Sequence, residues 1–73
     1  MEQKEKDFLS VLADVLEVPG ISPQDDYRST FLWGSLTCFS LKVTLSQRYG
    51  VDLSLKELDS FTDVQSLMSR VLA

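Results

Sequence analysis

Gly34-Ser35-Leu36-Thr37-Cys38-Phe39-Ser40-Leu41-Lys42-Val43-Thr44-Leu45-Ser46-Gln47-Arg48-Tyr49-Gly50-Val51 is the stretch on which the reading of this chain turns. Its apolar residues fall into two helical series. Leu41, Leu45 and Tyr49 are spaced by four, and Cys38 stands three before Leu41. Leu36, Phe39 and Val43 are spaced by three and four. At about 100° per residue the two series occupy different faces of one helix. A small domain needs one apolar face for its core, so the second face is either further core or a partner surface beside Ser35, and the two-faced geometry favours the partner surface. Ser35 stands where loop gives way to helix, at the head of that second face. The spacing predicts a helix over about 35–48, with Gly50 as the residue just past its end.

Outward from this segment the chain reads as helical throughout. Phe8, Val11, Leu12, Val15 and Leu16 follow the i, i+3, i+4, i+7, i+8 pattern, with Asp7, Asp14 and Glu17 on the polar side. This predicts a first helix over about 3–17 that stops before Pro19-Gly20, where proline disfavours the helical region at Val18 and glycine supplies a turn. Residues 18–34 contain Pro19, Gly20, Pro23, Asp25 and Asp26 and no helical period, so they read as a long loop, with Ile21, Tyr27, Phe31 and Leu32 as its apolar anchors. Ser54-Leu55-Lys56-Glu57 has the form of a capping box and predicts a short helix over about 55–58. Val64, Leu67, Met68, Val71 and Leu72 repeat the helical pattern and predict a last helix over about 62–72, capped by Thr62 or Ser60. Val51-Asp52-Leu53 is too short to pair as a strand. The expected fold is an all-α small bundle of three main helices plus one short one, forming a single domain over residues 1–73.

Composition narrows the function. With 73 residues, the chain buries only about 60–65% of the surface its unfolded form exposes and has no room for a deep catalytic cleft. Eleven acids against seven bases give a net charge of −4, which argues against nucleic acid and polyanionic membrane surfaces. No 18-residue apolar run exists, so no membrane insertion is expected. The charged start, Met1 to Asp7, has no hydrophobic region behind it and does not read as a secretion signal. Cys38 is the single cysteine and there is no histidine, so no internal disulfide, zinc site or Ser-His or Cys-His catalytic pair can be assembled from this inventory. The lone thiol fits a cytoplasmic setting. Cys38 reads as a small buried apolar residue, Asp25-Asp26 as solvated turn residues, and Ser35, taken alone, as a helix N-cap.

The organisation resembles the acyl carrier protein family, including the peptidyl carrier proteins, over roughly residues 8–72. Leu12 to Val18 is similar to the end of the family's helix I. Tyr27 stands at its aromatic position eight residues before the serine, and Phe31 at its leucine four before. Ser35-Leu36 matches the Ser-Leu of the family signature, and Tyr49-Gly50-Val51 its aromatic-Gly-aliphatic end of helix II. Leu55 to Leu58, then Phe61-Thr62-Asp63-Val64, resemble the short helix III and the start of helix IV. The resemblance implies a carrier, not an enzyme: a phosphopantetheinyl transferase would attach 4′-phosphopantetheine from coenzyme A to Ser35. The arm's thiol would then carry acyl or aminoacyl groups as thioesters, loaded by ligase or synthase enzymes. A phosphodiester at Ser35 would lie beside the N–H groups and positive dipole end of the helix. Leu36, Phe39 and Val43, with Trp33 and Lys42 beside them, look like the family's partner-binding surface. A monomer without catalytic or metal-binding residues is expected.

Three features set the chain apart within the resemblance. Gly34 precedes the serine where most fatty-acid carriers have aspartate, and Leu32-Trp33 replaces a small pair, with Trp33 read either as a cargo or partner contact or as packing over the loop. No acid occurs between Asp26 and Asp52, and Lys42 and Arg48 make the helix net positive. Steering toward basic enzyme faces would be lost, so dedicated partners would dock through the apolar stripe and hydrogen bonds. The competing expectation is an unmodified carrier-like module that docks a partner through the same face.

Overall fold

Helix α1 spans Gln3–Leu16 in the computed structural model, which describes residues 3–30 and 33–73. Phe31 and Leu32, expected as loop anchors, lie outside the described residues. Along α1, Phe8, Leu12 and Leu16 are buried, while Val11 and Val15 are half-buried, so the apolar stripe narrows to one residue per turn. The helix stops one residue short of the expected 17 and, as expected, before Pro19-Gly20; its end is closed by a turn at Glu17. Glu17 adopts a left-handed backbone with φ 56°. Its N–H donates to the Asp14 carbonyl at 3.2 Å, and the Val18 N–H donates to the Ala13 carbonyl at 3.0 Å. These two bonds close a Schellman turn on carbonyls that the helix end would otherwise leave unpaired.

Helix α2 spans Ser35–Tyr49, one residue longer than expected, and packs against α1 and against the two helices that follow it. Cys38, Leu41 and Leu45 are its buried face, as the first apolar series implied. Gly50 takes the left-handed conformation at φ 67°, where glycine has no Cβ to strain. Helix α3 is the single turn Leu55–Leu58, opened by the expected capping box: the Glu57 N–H donates to Ser54 Oγ at 3.1 Å, and the Ser54 N–H to Glu57 Oε1 at 3.3 Å.

Helix α4 spans Val64–Leu72 and begins two residues later than the expected 62. Its cap is Asp63, not Thr62 or Ser60. The Asp63 carboxylate accepts the Ser66 N–H at 2.8 Å and the Ser66 hydroxyl at 2.7 Å, which holds its pKa below the ordinary Asp value. The Ser60 hydroxyl donates instead to the Glu57 carbonyl at 2.7 Å, closing α3. The other early N–H groups of α4 find partners far back in the chain: Val64 donates to the Asp25 carbonyl and Gln65 to the Pro23 carbonyl, both at 2.8 Å. The first long connection is thus part of the end of α4.

That connection also holds a 3₁₀ turn over Tyr27–Ser29, where the sequence showed only loop. Asp26 caps it by accepting the Arg28 N–H at 2.9 Å and pairs with the Arg28 guanidinium at 3.2 Å, contacts that lower its pKa. Asp25 accepts the Ser22 N–H at 2.9 Å. Both carboxylates therefore close local turns of the connection, Asp26 at Tyr27–Ser29 and Asp25 back to Ser22. Tyr27 is fully buried and its hydroxyl donates to the Leu58 carbonyl, pinning the connection to α3. The core is one cluster in which Phe8, Leu12 and Leu16 meet Leu41, Leu45, Leu53, Leu58, Val64, Leu67, Met68 and Val71, with Ile21 and Val18 at its margin. No strand occurs among the described residues.

Candidate functional site

The N-terminus of α2 is built to expose a hydroxyl. Gly34 is the N-cap, in extended backbone with φ 179°, and its carbonyl accepts the Cys38 N–H at 2.8 Å. Glycine brings no side chain to the first turn, and the space where a Cβ would stand is open. Ser35 is therefore the first helical residue rather than the N-cap that the serine alone suggested. It is solvent-exposed, at the end where helix N–H groups and the dipole favour negative charge.

A surface groove of about 390 Å³ opens beside it, between the α2 N-terminus and α3. Trp33, Ser35 and Cys38 form one wall, and Leu55, Lys56 and Asp59 the other. Trp33 is half-buried and stands edge-on to Tyr27, with ring centroids 5.2 Å apart at 78°. Its indole N–H donates to Asp59 Oδ1 at 3.4 Å. Cys38 is buried, its thiol near the Leu55 carbonyl at 3.8 Å, and burial pushes its pKa up, away from thiolate chemistry.

Leu36, Phe39 and Val43 run down the outer face of α2, 85%, 54% and 36% exposed. Leu55, 43% exposed, stands across the groove. Lys42 is placed differently. Its ammonium donates to Asp52 Oδ1 at 2.6 Å and to the Leu53 carbonyl at 3.0 Å, tying α2 to the segment before α3. The α3 side of the groove was not singled out in the sequence. The signal available was the capping box, which fixes the phase of α3: with Leu58 turned into the core, Leu55 and Lys56 fall toward Ser35.

The sequence model of the family described as "Phosphopantetheine attachment site" matches residues 6–71. The chain belongs to this phosphopantetheine-binding family of acyl and peptidyl carrier proteins. No curated protein and no solved structure matches the chain. The family's cofactor, 4′-phosphopantetheine, is attached covalently, and its members are typically carriers that interact with phosphopantetheinyl transferases and acyl-handling enzymes. The residues of this carrier fit the group: an exposed serine hydroxyl, a helix N-terminus to receive an anion, and an open groove alongside. When bound, the arm supplies a thiol for thioester chemistry. The chain itself would supply the hydroxyl and the electrostatic setting at the α2 N-terminus. Among the described residues, no helix is long and apolar enough to cross a membrane.

Proposed function

We propose that Ser35 is the phosphopantetheine attachment residue and that this carrier shuttles thioester-bound acyl or aminoacyl intermediates between enzymes of a specialised lipid, polyketide or peptide pathway. The observation that carries the reading is the state of Ser35: exposed, first in α2, and released from capping by Gly34. The exposed stripe of Leu36, Phe39 and Val43 begins at the next residue, where a docked enzyme would have its active site within reach of the arm. Trp33 borders the same entrance, and Lys42, held by Asp52, contributes its stem more than its charge to that face. The protein acts as a cytoplasmic monomer with no catalytic chemistry of its own. The lack of acids on α2 selects partners that dock through apolar contact and hydrogen bonds rather than basic patches.

Intact-mass measurement after incubation with coenzyme A, magnesium and a broad-specificity phosphopantetheinyl transferase tests this. Wild type gains one phosphopantetheine and Ser35→Ala gains none. Equal gain in both, or no gain in wild type with several transferases, overturns it. Gly34 in place of the usual aspartate and the exposed stripe favour one second reading, an unmodified module that docks a partner through α2. In that case binding survives Ser35→Ala and is lost on Phe39→Asp.

A further inference from the structure

We propose that Lys56 is a positioning residue for the root of the arm, pairing across the groove with the phosphodiester on Ser35; this rests on Ser35 being the attachment residue. Lys56 and Ser35 line the same groove from opposite walls, one on α3 and one on α2. A phosphodiester carries one full negative charge, and the groove offers it two positive features. One is the dipole end of the 15-residue helix α2. The other is the Lys56 ammonium, exposed and in neither of the ion pairs found among the described residues, which are Arg28–Asp26 and Lys42–Asp52. Asp59, the carboxylate of the groove, accepts the Trp33 indole N–H. Gly34 adds a third element by what it leaves out. An aspartate at the cap would set a second anion next to the phosphodiester and compete for the same N–H groups. With glycine there, the helix terminus and Lys56 are left to the arm. Because the capping box and the Tyr27 hydroxyl fix α3, the ammonium is carried on a set element, and pairing would join α2 to α3 through the cofactor.

The test compares apo and holo forms of wild type, Lys56→Gln and Lys56→Arg, with each loading verified by mass. At low ionic strength, attaching the arm raises Tm by about 1–5 °C more in wild type and Lys56→Arg than in Lys56→Gln. The extra gain collapses in about 1 M salt, where the screening length falls to about 3 Å. The ³¹P resonance of holo Lys56→Gln also moves from its wild-type position, while that of Lys56→Arg stays near it. Equal holo-minus-apo differences in all three proteins, together with an unchanged ³¹P resonance, overturn the role of Lys56 while leaving the attachment reading intact. Absence of the mass gain on Ser35 overturns both, and it is detected before any melting curve is recorded.

Discussion

Glu17 is where backbone and side chain are most at odds. A non-glycine residue in the left-handed region costs about 1–2 kcal/mol, and Glu17 holds φ 56° to close the end of α1. Its carboxylate also sits at the negative end of the helix dipole, which disfavours it further. Glu17→Gly should therefore stabilise the protein by about 0.5–1 kcal/mol, after the greater chain entropy of glycine in the unfolded state is deducted. A rise in the urea midpoint at unchanged slope is the expected result; a fall would show that the turn tolerates glutamate without strain. The sequence pointed to Pro19-Gly20 because those residue types terminate helices on their own. A glutamate forced left-handed leaves no such mark. The turn's second residue, Val18, packs against the core, a tertiary contact that no local pattern encodes.

At the scale of the helix, α2 was legible because its two faces carry separate series spaced by three and four, and periodicity reports burial directly. Cys38, Leu41 and Leu45 went inward; Leu36, Phe39 and Val43 stayed out. The capping box of α3 was legible for a similar reason, since both partners lie within four residues. What was not legible depends on distant chain. Lys42 meets Asp52 ten residues on, and α4 takes Asp63 as its cap while two of its N–H groups reach carbonyls at Pro23 and Asp25. The two faces of α2 give a sharp contrast. Phe39→Asp, on the exposed face, should change stability by no more than about 0.5 kcal/mol, whereas Leu41→Ala, fully buried, should cost about 2–5 kcal/mol. Loading of the arm's thiol by the cognate ligase should fall with Phe39→Asp although the fold is kept. An unchanged loading rate in that variant would remove the stripe from the docking surface.

Across the whole molecule, the connection between α1 and α2 acts as a structural member rather than a tether. Tyr27 is its anchor: fully buried, edge-on to Trp33 and bonded through its hydroxyl to the Leu58 carbonyl. Tyr27→Phe keeps the ring and deletes the donor, leaving a buried carbonyl unpaired, so it should cost about 1–3 kcal/mol of unfolding free energy. A thermal midpoint equal to wild type would mean that solvent reaches that carbonyl. Burial of Tyr27 was foreseeable from its place in an otherwise polar segment. Its role in fixing the groove beside Ser35 was not, because it requires α3 and the 3₁₀ turn to meet across 31 residues of sequence.

The carbonyls of Pro23 and Asp25 that receive the Gln65 and Val64 N–H groups have one more consequence. Amide protons at the start of a helix ordinarily trade with solvent early, because nothing in the helix shields them. Here those two protons can trade only when the connection lifts away. Their deuterium-exchange rates are thus a built-in gauge of how often the segment leading to Ser35 opens, read at a point remote from the serine itself.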